Sequence, residues 1–270
     1  MGYTPLVQRF ERWLMASTRG DGTIKLRVRH ARDLARRADP LLMTVDDIED
    51  IMARRRHLSP ETRKSQLASW RVFFGWMHKR GLRADDPTTD IESIRVPVKV
   101  PRVAPDDAIM RALEGSSSRD RALVLLARYG CLRLTELTTL HMHDRQGERL
   151  TIRGKGDKER VVYANEHLLH ALHVLELEQG EGFYFPGDAG PHLHSVSVNK
   201  IITRVTGWNP HSLRHAGATA AYNATGDLRG VMEMLGHSSL ATTQRYLHLD
   251  DSARRRVAAG TIIIPEAIAA

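Results

Sequence analysis

The sequence predicts a mainly α-helical protein with a small β-hairpin, in which an N-terminal helical domain is joined to a larger α+β domain. Three observations carry this. Apolar residues recur at three- and four-residue steps along most of the chain, the period shortens to two at one place only, and three prolines cluster near residue 100.

The first third is helical and polar. "TIKLRVRHARDLARRAD" is predicted to begin a helix after Thr23. "TVDDIEDIMARRRH" opens on Thr44 with Asp47 three residues on, the pattern of a capping box. In "SPETRKSQLASWRVFFGWMHKRG", Ser59 suits the N-cap, Pro60 the first turn and Gly81 the C-terminal stop. Leu67, Trp70, Phe74 and Met77 form its core-facing stripe, and Lys64 and Arg71 lie away from it, on a face either solvated or turned to phosphate. "IRVPVKVPRVAPDD" is too proline-dense for a helix, which places an extended linker at 96–104 between domains at 1–95 and 105–258.

Helices resume at Pro105–Glu114, Arg119–Tyr129 and Leu134–Leu140. "RLTIRG" and "ERVVYA" then read as two strands joined through "KGDK". Helices follow in "NEHLLHALHVLELEQG", "SVSVNKIITRVTG", "NPHSLRHAGATAAYN" and "DLRGVMEMLGH", and residues 259–270 form a small apolar tail.

Composition narrows the function classes. Hydrophobic residues make up 41% of 270, enough for real cores, and a net charge of +8 with a pI near 9.9 favours a polyanionic partner, nucleic acid or an acidic membrane surface. No apolar run reaches the roughly 18 residues of a membrane span. The N-terminus lacks the layout of a signal peptide, and Leu6 stands where a myristoylation site needs Ser or Thr. Cys131 is the single cysteine, so neither an intrachain disulfide nor a thiolate cluster forms. Together these describe a soluble protein of a reducing cytoplasm.

Several residues have the makings of a site. Asn209 and Pro210 start a helix that carries His211 and Arg214 on one face near its N-terminus, either a surface pair or an oxyanion site. Arg133 sits among apolar residues with Glu136 three positions later, so its guanidinium needs that carboxylate or a ligand. Lys155, between Gly154 and Gly156, is either a solvated turn residue or one able to reach into a groove and donate a proton. The pairs His141/His143 and His192/His194 lack metal-site spacing, and no metal or cofactor is expected. "HSSLATTQRYLH" sets His237 nine residues before Tyr246.

The order of these features is far more specific than any one of them. "GCLRLTEL", "GKGDKERVV", "HSLRHAGAT" and "LGHSSLATTQRYLH" resemble the tyrosine recombinases, the phage-type integrases and the bacterial relatives that resolve chromosome dimers. The helix after Ser59 resembles the core-binding domain of that family more loosely. The resemblance implies a site-specific recombinase that cleaves and rejoins double-stranded DNA through a 3′-phosphotyrosyl intermediate without metal or ATP.

By match, Tyr246 is the nucleophile, and Arg133 and Arg214 neutralise the charge that develops on the non-bridging oxygens. Lys155 is the general acid, His211 takes the tyrosine proton, His237 holds the phosphate, and Glu136 supports the arginines. Thr62, Arg63, Lys64 and Arg71 are the candidates for contact with DNA. The resemblance further implies two domains clamping duplex attachment-type sites, a free monomer that becomes a homo-tetramer on DNA, and exchange of a C-terminal segment, for which 249–258 is a candidate.

The chain begins almost at the core-binding region, which leads us to expect short sites without an arm-type domain. The ending "AIAA" is either a frayed terminus or a tag for a host protease. A non-catalytic regulator on the same scaffold, a metal-dependent nuclease, a type IB topoisomerase and a chromosome-resolution recombinase are the alternatives to phage integration and excision.

Overall fold

Apolar steps in the first third fold into α1 (Thr4–Met15), α2 (Asp21–Ala35), α3 (Val45–Arg54) and α4 (Pro60–Lys79). The computed structural model describes residues 4–97, 102–154 and 159–236. It divides into two compact units, Met1–Lys99 and Val100–Ala270.

In the first unit α2 packs against both α1 and α4. The expected stripe of Leu67, Trp70, Phe74 and Met77 is buried, and Phe73 and Trp76 are buried with it, so α4 is covered on two sides. Phe10 of α1 meets Phe73 with ring centroids 4.8 Å apart, and Phe73 stacks on Trp76 at 6.0 Å. Sequence reading did not single out α1, although Val7, Phe10 and Leu14 carry its stripe and all three are buried.

Local chemistry sets the helix ends. Thr44 accepts from the Asp47 N–H at 3.2 Å and Asp47 accepts from the Thr44 N–H at 2.8 Å, closing the capping box. Ser59 accepts from the Thr62 N–H at 3.2 Å with Pro60 in the first turn, and Gly81 follows α4 at φ +65°. The expected start of α2 after Thr23 is corrected. The helix begins at Asp21 with Gly20 as an N-cap that offers no side chain, and the Thr23 N–H donates to the Gly20 carbonyl within the first turn. Without a capping side chain, the sequence signal for this boundary is weak.

The second unit contains α5 (Asp106–Glu114), α6 (Ser118–Arg128), α7 (Leu134–Thr139), a short 3₁₀ turn (Met142–Asp144), β1 (Arg145–Gln146), β2 (Arg149–Arg153), β3 (Glu159–Tyr163), α8 (Glu166–Gln179), α9 (Ser195–Thr206), α10 (Pro210–Thr225) and α11 (Leu228–Leu235). Helix α6 is central: Ala122 to Ala127 are all buried, and α8, α9 and α10 pack around it. The expected hairpin is the β2–β3 pair, with Leu150 opposite Val162 and Ile152 opposite Arg160. β1 adds a third antiparallel strand in the order β1-β2-β3, too short at two residues to show an alternating pattern.

Of the expected linker, residues 98–101 lie outside the described residues. Ala104 is buried and donates its N–H to the Ser212 carbonyl at 3.3 Å, so the last linker residue packs within the second unit. The segments 249–258 and 259–270 lie outside the described residues. Among the described residues no helix is long and apolar enough to cross a membrane.

Candidate active site

The turn after α6 sets the first guanidinium. Cys131 adopts φ +50°, the one non-glycine residue in the left-handed region among those described. That conformation lets its carbonyl accept from Arg214 Nη1 and delivers Arg133 to the N-cap position of α7. Cys131 itself is a buried thiol, pushed up to about 11 by burial, so it stays protonated and unreactive.

Glu136, in the first turn of α7, is the hub. Its Oε2 accepts the Arg133 backbone N–H at 2.6 Å, and its Oε1 accepts from Arg133 Nη1 at 2.8 Å. Arg160 from β3 meets both carboxylate oxygens, Nη1 to Oε1 and Nη2 to Oε2, each at 2.7 Å. Arg214 Nη1 lies 3.9 Å from Oε2. Burial alone raises this carboxyl, but the hydrogen bonds of Arg160 and Arg133 and the charge on Arg160 outweigh it and hold Glu136 at about 2. Glu136 is therefore ionised at neutral pH.

Arg214 comes from the first turns of α10, where Asn209 accepts the Ser212 N–H at 3.0 Å and Pro210 takes the first helical position, as the sequence predicts. Its side chain is only 2% exposed, which sets it apart from an ordinary surface cation. Burial first, then the charge of Arg133, lower it to about 10, with Glu136 opposing; it remains charged at neutral pH. His211, one turn earlier and exposed, has its ring 4.0 Å from that of His215. Partial desolvation, followed by the charges on Arg214 and Arg133, lowers its pKa, so the imidazole is neutral at neutral pH.

The same arginines hold the end of α11. Arg160 Nε donates to the Met234 carbonyl at 2.8 Å, Arg214 Nη2 to Leu235 at 2.6 Å, and Arg133 Nη2 to Gly236 at 3.1 Å. Three guanidiniums thus cap three successive carbonyls at the negative end of a helix. Arg133, Glu136, His211 and Arg214 are brought together. Lys155, His237 and Tyr246 lie outside the described residues. Sequence reading missed Arg160, whose partners are remote in the chain and leave no local sign in "ERVVY".

The histidine pairs have structural partners. His141 accepts the His143 N–H, and His194 caps α9 by accepting from Val196, each at 3.2 Å. Among the described residues no group of three or more His, Cys, Asp or Glu is placed to hold a metal ion.

The DNA-contact candidates of the first unit do not converge. Thr62 borders a cleft of about 790 Å³ between α2, α3 and α4. Arg63 lines a different cleft with Glu49 and Glu92, Lys64 is exposed, and Arg71 is tied to Ser93 Oγ at 3.0 Å and to the Ile91 carbonyl. The larger cleft is also lined by six arginines, among them Arg29, Arg32 and Arg36, against three aspartates, Asp33, Asp47 and Asp50; Arg55, one of the six, is buried against Asp33 and over the Trp70 ring. Arg29, Arg32 and Arg36 stand at steps of three and four in the sequence, a helical face that was open to reading.

A helical scaffold that gathers three guanidiniums around one buried carboxylate, with a neutral histidine near two of them, has the makings of a phosphoryl-transfer site. Residues 106–253 match the phage integrase family, and the chain belongs to that family, the tyrosine recombinases. The tyrosine recombinase XerC of Xanthomonas campestris pv. campestris (strain B100) is 35% identical over 213 residues, covering 73% of this chain and 66% of that protein. The chain therefore spans about two thirds of the length of that relative. The crystal structure of XerA recombinase is 25% identical, with a TM-score of 0.54, covering 97% of this chain and 99% of that one. A lambda integrase dimer bound to a COC′ core site shares the fold, with a TM-score of 0.76 at 16% identity over 93% of this chain and 77% of that one.

Proposed function

We propose that this protein is a site-specific recombinase that cuts and rejoins duplex DNA through a phosphotyrosyl intermediate in phage integration and excision. The observation that carries the reading is the convergence of Arg133 and Arg214 on Glu136, with neutral His211 in the same helical turns as Arg214.

In this reading the Tyr246 hydroxyl attacks the scissile phosphorus and passes its proton to His211 as the new P–O bond forms. The bond from phosphorus to the 5′-oxygen breaks, and Lys155 gives that oxygen its proton, leaving a free 5′-hydroxyl and a 3′-phosphotyrosine. Arg133 and Arg214 neutralise the non-bridging oxygens, and His237 adds a hydrogen bond. Glu136 holds the guanidiniums in register rather than touching the phosphate. Attack by the 5′-hydroxyl of a partner strand reverses the step, so no external energy source enters. Double-stranded DNA is the partner, and paired sites call for a homo-tetramer, the state in which a lambda integrase has been solved on a Holliday junction.

The cleft of α2 and its arginines offers the first unit a phosphate-binding face, which replaces Arg63 and Arg71 as the better candidate. Arg29→Gln with Arg36→Gln is expected to lower the slope of log binding constant against log salt by about 2. Cleavage at saturating protein stays within about twofold of the parent, because phosphate contacts of this kind position rather than react. Titrations at several salt concentrations check this, and an unchanged slope would remove the cleft from the interface.

The experiment that tests the whole reading uses nicked suicide DNA bearing candidate sites, in EDTA, on a denaturing gel. A covalent protein–DNA band is expected, and Tyr246→Phe abolishes it. Tight binding without a band on any site would favour the non-catalytic regulator. Similarity to XerC recombinases favours a second reading, chromosome resolution, in which a chromosomal site is cleaved in preference to a phage attachment site.

A further inference from the structure

The three guanidiniums around Glu136 differ in what they can still do. Arg133 is 40% exposed and gives one hydrogen bond to Glu136 and one to Gly236, so donors remain for a ligand. Arg160 is 10% exposed, and each of its three nitrogens is already engaged: two on Glu136 in a parallel, bidentate pair and the third on the Met234 carbonyl. Gly236 closes over it, with a position for Cβ only 2.9 Å from Arg160 Cδ. A guanidinium so enclosed is poorly placed to meet a phosphate, yet it touches the carboxylate and the helix end that the other two arginines also touch.

We propose that Arg160 is a positioning residue that fixes the aim of Arg133 and Arg214 by locking both oxygens of Glu136 and the terminal carbonyls of α11; the inference rests on the strand-cleaving reading above. The physical ground is geometric. A planar fork on a planar carboxylate defines the plane and rotation of Glu136, which a single point charge does not. The orientation of Glu136 then sets where Arg133 Nη1 bonds and where the field on Arg214 points. Meanwhile the Nε bond fixes Met234, the first of the three carbonyls in the row whose next two, Leu235 and Gly236, receive Arg214 and Arg133. Loosening Arg160 frees both anchor points of the catalytic pair together.

The test uses the full chain and nicked suicide DNA, in single-turnover reactions at saturating protein. Arg160→Lys keeps the charge and loses the fork; Arg160→Gln loses both. Cleavage is expected to slow about tenfold in Arg160→Lys and about a hundredfold in Arg160→Gln, while DNA affinity stays within about twofold.

The discriminating readout is a substrate with a methylphosphonate at the scissile position, which removes one negative charge from the non-bridging oxygens. If Arg160 acts by aiming guanidiniums at that charge, the deficit of Arg160→Lys relative to the parent shrinks to about threefold or less on this substrate. A variant that is merely less well folded loses the same factor on both substrates. Equal loss on both, or a phosphodiester rate within twofold of the parent for Arg160→Lys, overturns the inference. The parent chain failing to form any Tyr246 adduct instead overturns the recombinase reading, and that is seen before the variants are compared. Should Arg160→Gln not fold, Arg160→Lys carries the comparison, since it keeps the charge balance around Glu136.

Discussion

Glu136→Gln is expected to destabilise the second unit by about 3 kcal/mol at pH 7, because it leaves three guanidiniums around a neutral amide in a buried place. The side chain is 2% exposed, so water does little to screen the loss. Glutamine preserves shape and one acceptor oxygen, but its amide nitrogen would face a donor of Arg160 or Arg133 where the carboxylate accepts from both. Urea unfolding followed by fluorotryptophan NMR measures this directly, because Trp208 reports the second unit and Trp13, Trp70 and Trp76 the first.

The pH dependence gives a second handle with a definite sign. Glu136 is held at about 2 in the folded chain against an ordinary 4.5. Its contribution is complete above pH 4.5 and is lost as pH falls towards 2. The stability gap between parent and variant should therefore narrow by about 2 kcal/mol from pH 7 to pH 3, since the other carboxylates titrate alike in both proteins. A gap of equal size at both pH values would mean that the carboxylate is not the charged centre of the network.

The second unit shows how far sequence carries and where it stops. Helix α10 was legible in detail because its start is local chemistry: Asn209, Pro210 and the Ser212 N–H lie within four residues. The pairing of Arg133 with Glu136 was legible for the same reason, the spacing of three on one helix start. Arg160 was not, since its partners lie 24 and 74 residues away and nothing in "ERVVY" distinguishes a strand arginine bound for a carboxylate from one bound for solvent. The cap of three arginines on Met234, Leu235 and Gly236 is invisible for the same reason, being made by side chains from three separate elements. The first unit holds a pattern of the opposite kind, local in the chain and therefore legible. The arginines of α2 stand at steps of three and four, a helical face visible in the sequence alone, whereas the ties of Arg71 on α4 to Ser93 and the Ile91 carbonyl join residues about twenty positions apart and leave no local sign.

Gly217→Ala is expected to cost about 3 kcal/mol or more and, in the recombinase reading proposed above, to remove strand cleavage with it. Gly217 lies on α10 where that helix crosses the end of α6, and a Cβ there would stand 2.0 Å from the Arg128 carbonyl oxygen and 2.5 Å from Cys131 Sγ. The closer atom is backbone and sits on the turn that carries Arg133, so it cannot swing aside as a side chain would. Cys131→Ala, which clears the thiol, therefore should not restore Gly217→Ala.

Relief has to come from moving α10 away from that turn, and α10 carries Arg214 three residues and His211 six residues before the clash. Arg214 would lose its bond to the Cys131 carbonyl, which leaves a buried guanidinium short of a partner. Gly22→Ala makes the control: it is also helical, has nothing within 4 Å of its Cβ position, and should be neutral or stabilise by up to about 1 kcal/mol. The same urea titration, with the Trp208 signal for Gly217→Ala and the α4 tryptophans for Gly22→Ala, reads both. If Gly217→Ala unfolds within about 1 kcal/mol of the parent, a range typical of a tolerated substitution, the close approach of α6 and α10 is not what sets the spacing between Arg133 and Arg214.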